Sequence, residues 1–115
     1  MNGTPSDLTS FWDYYVSEHA DPTCRALHFA GTSLAFACVA GAAWQPWMLL
    51  LAPVVGYGFA WVGHLRFERN KPASWNSIRD LWWSFLCDMK MWSLVATGRM
   101  NAEVERVTSE RSAAL

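Results

Sequence analysis

The sequence predicts an all-α protein, an integral membrane helical hairpin flanked by amphipathic helices, and three observations point to that class. The segments from Ala26 to Ala43 and from Trp47 to Gly63 carry no charge, and each approaches the ~20 apolar residues that a bilayer core requires. Between them, Trp44-Gln45-Pro46-Trp47 reads as a turn at a water interface, where tryptophan is enriched. On either side of the pair, apolar residues recur at helical rather than strand spacing.

In chain order, Thr4, Pro5 and Asp7 predict a helix start in which Thr4 caps, Pro5 takes the first turn and Asp7 completes a capping box. Leu8, Phe11, Trp12, Tyr15 and Val16 then form one apolar face, and the same period carries His19 onto or beside it before Asp21-Pro22 ends the helix. Asp21 caps the next helix, with Pro22 in its first turn. Gly31 and Gly41 favour close packing in the first uncharged segment; in the second, Pro53 is expected to kink the helix, and the glycines at 56, 58 and 63 suit it to helix contacts. That second segment runs into His64, Arg66, Glu68, Arg69, Asn70 and Lys71 before Pro72, which reads as a membrane edge whose cations reach phosphate headgroups.

Ser77 and Asp80 stand at capping-box spacing and open a helix expected from about Ile78 to Thr97, stopped by Gly98. Its apolar stripe is Trp82, Phe85, Leu86, Met89, Trp92 and Ala96, while Ser84, Asp88 and Lys90 prevent a continuous span, so it lies along the membrane surface or dips partway in. The reading is one helical membrane domain over residues 1–100 and a polar tail over 101–115 that forms a short, frayed, solvated helix with no site.

Composition excludes several classes. A hydrophobic fraction of 52% against 17% charged is apolar for a small soluble protein, and a net charge of −1, with the basic residues clustered at segment ends, argues against nucleic acid as a partner. Three widely spaced cysteines without a CxxC pair exclude a disulfide framework or cysteine-rich zinc site. Residues 1–10 show no basic start followed by an apolar run, so insertion is expected to use the internal segments. HExxH, GxSxG and a phosphate-binding glycine loop are missing, and three histidines are too few for the histidine boxes of membrane di-iron desaturases.

The histidines are the chemical signal. With the turn centred between Gln45 and Pro46, His28 lies roughly seventeen residues before the centre and His64 roughly eighteen after, which puts both ~27 Å from the turn in antiparallel helices. His19, a short turn before the second helix, falls near the same level. Imidazoles with a carboxylate suit iron(II), manganese or zinc, and Glu68, four residues beyond His64, is the nearest acidic ligand candidate. Glu18, Asp21, Asp88 and Asn70 are candidate acceptors for the second nitrogen of a ligating ring. Each residue has a plainer reading: His19 as a helix-end cap, Glu68 paired with Arg69 or Lys71, Asp88 paired with Lys90, Cys24 as a small buried group. His28 resists one, because an ionisable residue inside an apolar segment is uncommon and usually functional. The flanking cations Arg25, Arg66, Arg69 and Lys71, against an uncharged turn, predict a multi-pass protein with both termini cytoplasmic, in a bacterial inner membrane or an ER-like one.

Several stretches resemble a known family. Ser17-Glu18-His19 with Asp21-Pro22, Leu27-His28-Phe29 with Gly31-Thr32, Pro53-Val54-Val55-Gly56-Tyr57-Gly58, Gly63-His64 with Phe67-Glu68, Asn70 and Pro72-Ala73 are similar to the small membrane-protein family that includes the fungal 2-hydroxy fatty acid dioxygenase. Asp88-Met89-Lys90-Met91-Trp92 and Thr97-Gly98-Arg99 extend the resemblance over about Phe11 to Arg99. It implies an enzyme with non-haem Fe(II) that uses dioxygen to shorten a 2-hydroxy fatty acid by one carbon, with His19, His28 and His64 essential. Cys24 is a departure, standing where relatives often have Asn.

On this reading His19, His28 and His64 ligate the metal, with Glu68 as a further ligand or a support and Asp88 and Asn70 behind them. Arg25, Arg66 or Arg69 meets the substrate carboxylate, and the alkyl chain lies among the hairpin's side chains. The rivals are a small membrane scaffold or lipid-binding protein whose histidines merely satisfy polar contacts, and a zinc lipid hydrolase.

Overall fold

Asp7 opens the first helix, α1 (Leu8–Ser17), by accepting the Ser10 amide at 2.8 Å. The start is therefore three residues later than the expected Thr4 cap, and Thr4 instead donates its hydroxyl to Asp80 at 2.7 Å, tying the entering chain to a later helix. The computed structural model describes residues 4–114; residues 1–3 and 115, the extreme ends of the expected domain and tail, lie outside the described residues. Asp21 caps α2 (Pro22–Gly41) through the amides of Thr23 and Cys24, as its position before Pro22 predicts.

The chain turns at Trp44–Trp47 and returns as α3 (Met48–Val62), which continues without a break into a π-helical turn, Gly63–Glu68. A short 3₁₀ turn, Ala73–Trp75, leads to α4 (Ile78–Ala96), capped by Ser77 on the Asp80 amide at 3.0 Å. Gly98 at φ +73° then redirects the chain into α5 (Met100–Ala114). All the described secondary structure is helical.

The pairing of α2 with α3 depends on small residues. A Cβ on Gly31 would sit 2.7 Å from Phe59 Cβ and 3.2 Å from the Gly56 carbonyl, so a larger residue there would push the two helices apart. Helix α4 crosses α2 where the Trp92 indole donates to Ser33 Oγ at 2.9 Å and stacks on Phe29.

Two expectations need correction, and the fold assigns the faces of α4. Of the two expected spans, one is long and apolar enough to cross a membrane among the described residues: Met48–Glu68. Helix α2 falls short because Arg25 and His28 lie within it and its Gly, Ser and Thr residues add no hydropathy. The polar tail is α5, a packed helix. Met100 and Val107 are buried with Phe11, Trp12, Tyr15 and Val16, while Glu103 accepts from the Trp12 indole and Arg106 pairs with Asp13. Finally, α4 is turned so that Asp80, Ser84, Cys87 and Met91 face inward. Its apolar stripe is largely outside, with Trp82 59% and Phe85 40% exposed.

Candidate metal centre

Three different pieces of backbone deliver the histidines. His19 follows the end of α1, and the corner that carries it is held by Arg25, whose guanidinium donates to the carbonyls of His19 and Ala20, both at 2.8 Å. His28 lies on the second turn of α2. His64 lies in the π turn, a local widening of the helix that is frequent at functional sites. This turn closes on the His64 carbonyl, which accepts from both Arg69 and Asn70 as Arg69 enters the left-handed region at φ 59°.

Gly63 allows the turn to lie against the start of α2. A Cβ there would come within 3.0 Å of Cys24 Sγ and 3.3 Å of Cys24 Cα, and the backbone atom cannot yield. From the far end of the turn, the Glu68 carboxylate accepts the Asp21 amide, fastening it to the α1–α2 corner.

The three rings meet almost edge to face. Centroid separations are 4.4 Å for His19–His28, 4.4 Å for His19–His64 and 4.9 Å for His28–His64, with interplanar angles of 83°, 78° and 89°. All three are buried.

Each Nδ1 is engaged by an oxygen. His19 Nδ1 donates to the Tyr15 carbonyl at 2.6 Å, and His28 Nδ1 to the Cys24 carbonyl at 2.9 Å. His64 Nδ1 meets Asn70 Oδ1 at 2.7 Å, an orientation set by the Asn70 amide donating to the Glu18 carbonyl at 3.2 Å. Because these oxygens only accept, the ring protons sit on Nδ1 and each Nε2 presents a lone pair. The Nε2 atoms of His19 and His28 stand 3.0 Å apart. Two lone pairs at that distance repel unless a proton or a metal ion lies between them, and burial disfavours the extra proton. Nitrogens that bind one ion at ~2.1 Å and at right angles are ~3.0 Å apart, so the donor set fits a metal ion.

Burial favours the neutral, ligating form. It pushes the pKa of His19 well below the ordinary imidazole value, and the neighbouring His28 and His64 push the same way. Tyr15 stacks on His19 with ring centroids 3.9 Å apart and donates its hydroxyl to Asp88. Burial raises Asp88 from the usual carboxylate range to about 7, opposed by that tyrosine hydrogen bond. A void of about 20 Å³, room for one water-sized molecule, is bordered by the three histidines, Asp88 and Ser84. Among the described residues, the Ser84 hydroxyl is the buried side-chain polar atom with no hydrogen-bond partner.

Other residues singled out in the sequence are placed as follows. Asn70 holds His64, and Asp88 stands behind His19 through Tyr15. Glu68 is engaged with the Asp21 amide at the edge of the site. Lys90, the alternative partner for Asp88, instead lies 4.3 Å above the Trp12 ring. Arg25, expected near a substrate carboxylate, is buried and occupied by backbone carbonyls, because the α1–α2 corner has carbonyls to satisfy. Arg66 and Arg69 are exposed on the outer side of the π turn, around an open depression with Lys71 and Trp75.

Three neighbours were not legible as site residues. The donor atoms of His19, Cys24, His28 and His64 lie within 4.8 Å of one another, a group able to hold a metal ion. Cys24 approaches His28 from the Nδ1 side, at 3.7 Å, away from the nitrogens that converge. Its spacing of four from His28 on one helix was the available signal. Tyr15 and Ser84 carried none, since an aromatic on an apolar face and a lone serine are ordinary helix residues.

A family model described as Mpo1-like, 2-hydroxy-palmitic acid dioxygenase Mpo1-like, matches residues 6–100. No curated protein and no solved structure matches the chain.

Proposed function

The chain belongs to the family of 2-hydroxy-palmitic acid dioxygenase Mpo1-like proteins, and from that premise we propose that it is an iron(II)-dependent dioxygenase that shortens 2-hydroxy fatty acids by one carbon at a membrane surface. The observation that carries the reading is the triad of buried imidazoles with every Nδ1 spent on an acceptor, which leaves three Nε2 lone pairs for one ion. His19, His28 and His64 would hold the iron, and the bound ion would supply a redox centre for dioxygen and a chelation point for the hydroxyl and carboxylate of the substrate.

The remaining residues position and shield. Asn70 and the carbonyls of Tyr15 and Cys24 keep the rings in one tautomer. Glu68 keeps the π turn on the α1–α2 corner and so keeps His64 level with His19. Tyr15 covers one face of His19 and excludes water from it, and Asp88, with a pKa of about 7, is a store for a proton beside the void. The free Ser84 hydroxyl can hydrogen-bond a small molecule in that void.

The membrane placement is part of the proposal. Supporting it, the Met48–Glu68 helix is apolar yet only 22% buried, whereas the core helix of a soluble protein is mostly covered. Leu50 is 77% exposed, Val54 67% and Trp44 78%, surface that water does not favour and lipid does. Arg25, Arg66, Arg69 and Lys71 sit at the histidine end of the hairpin and the other end is uncharged, so that end and both termini face the cytoplasm.

The test is purification in detergent, measurement of bound iron and zinc, and an assay with 2-hydroxypalmitate and dioxygen for the aldehyde or acid one carbon shorter. Stoichiometric iron and turnover are expected. His28→Ala and His64→Ala should each lose the iron and at least ~100-fold of the activity, on the scale of removing a group central to catalysis. Tightly held zinc with lipid hydrolysis, or no metal after anaerobic reconstitution, would overturn the reading.

A further inference from the structure

Resting on that reading, we propose that the groove between α2, α3 and α4 holds the alkyl tail of the 2-hydroxy acid, and that Ala35 and Val39 set the length of tail accepted. The groove has a volume of about 350 Å³ and is continuous with the metal centre, since His28, Tyr57, Ala60 and Asp88 border both it and the small void.

The polar atoms of the groove are gathered at that end. His28, Thr32, Tyr57 and Asp88 line its inner part, while Phe36, Val39, Ala52 and Pro53 line the far part. This segregation fits an amphiphile lying head to the histidines and tail away from them. From His28 to Val39 the helix climbs ~16 Å, about one leaflet of a bilayer whose hydrocarbon core is ~30 Å thick. The far end opens beside Phe36 and Val39, which are 42% and 51% exposed on the surface assigned to lipid. A tail can thus enter from the bilayer without crossing water.

The floor is built from small residues. Ala35 and Gly56 face each other, and a Cβ placed on Gly56 would lie 3.7 Å from that of Ala35. Phe85 and Met89 close the outer side. Helix α4, which carries them, is pinned by the Trp92–Ser33 hydrogen bond. A bulky side chain at position 35 therefore fills the middle of the groove, ~10 Å along α2 from His28.

The experiment compares Ala35→Phe with wild type on 2-hydroxypalmitate and 2-hydroxyoctanoate, with bound iron measured in both. Ala35→Phe should keep its iron and lose about tenfold or more in kcat/KM on the long substrate, with the short one changed less than about twofold. Val39→Trp, at a half-exposed position that tolerates bulk, should discriminate only between the longest tails.

A 2-hydroxy fatty acid with a diazirine at the tail end reads binding without turnover. Photolabelling should fall within residues 36–53 in wild type and vanish in Ala35→Phe. Equal loss on both substrates with iron retained, or labelling confined to residues 65–75 or unaffected by Ala35→Phe, would overturn the groove assignment. Labelling within 36–53 without any turnover of 2-hydroxy acids would support the groove and sink the dioxygenase reading instead.

Discussion

The two ends of this molecule are built on opposite terms. Where α1, α4 and α5 meet, Phe11, Tyr15, Val16, Met91, Met100 and Val107 are all at most 3% exposed, and charged pairs such as Arg106–Asp13 lie outside them. Along the α2–α3 hairpin the order reverses. Small residues, Gly31, Cys38, Ala52 and Ala60, are buried at the contact, and the large apolar side chains point away. One end is held by the removal of apolar surface from water, roughly 25 cal/mol per Å². The other packs small residues closely, the mode of helices in lipid, where burying a leucine gains little. The histidines sit on the seam, one from the first region and two from the second. The group able to hold a metal ion therefore lies where the two packing modes meet.

The comparison is most easily broken at Val54, in the middle of α3 and 67% exposed. If the hairpin is in lipid, Val54→Asp costs ~2.5–3.5 kcal/mol of insertion and moves the protein out of the membrane fraction. If water surrounds it, a surface substitution stays within about ±0.5 kcal/mol and fractionation is unchanged, which would sink the contrast.

Asn70 tests the seam itself. Asn70→Ala removes the acceptor of the His64 Nδ1 proton and should weaken iron binding by roughly 10–100-fold in a metal titration, with helical content unchanged. Unaltered affinity would mean that His64 is oriented by packing alone.

The smallest effect is expected from Asp88. Its folded pKa, about 7, lies above the unfolded value near 3.9. The folded state therefore binds the extra proton. That contribution to stability is fully present below the unfolded value and is lost as pH rises through about 7. Asp88→Asn can still accept from Tyr15 but cannot ionise, so it should be more stable than wild type at pH 8, on the order of 1 kcal/mol, and show less pH dependence in thermal unfolding. Equal destabilisation at pH 6 and pH 8 would instead show that Asp88 is needed as an anion.

How much of this was legible depended on whether the deciding contact was local. Asp21 before Pro22 and Ser77 three residues before Asp80 marked two helix starts, because a cap is a contact within one turn. The common level of His28 and His64 also followed from the chain, since helical rise is constant and Gln45-Pro46 marks the fold. The start at Thr4 misled because the Thr4 hydroxyl has a distant partner, Asp80, which no local pattern reveals. The tail misled because its polar composition hid Val107, which is buried in the cluster with α1, and Val104, which packs against it.

The sequence by itself determined an all-helical chain, its hairpin, the height of the histidines along it, and the family to which it belongs. Only the tertiary structure decided that Nε2 and not Nδ1 faces the centre, that His64 rides on a π turn, that Cys24, Tyr15 and Ser84 border the site, and that the apolar stripe of α4 looks outward. The physical reason is the range of the interactions. Helix formation and rise are set by bonds between residues at most a turn apart. Ring orientation and the choice of buried face are set by Asn70 on Glu18, Glu68 on Asp21 and Trp92 on Ser33, partners brought together by folding alone.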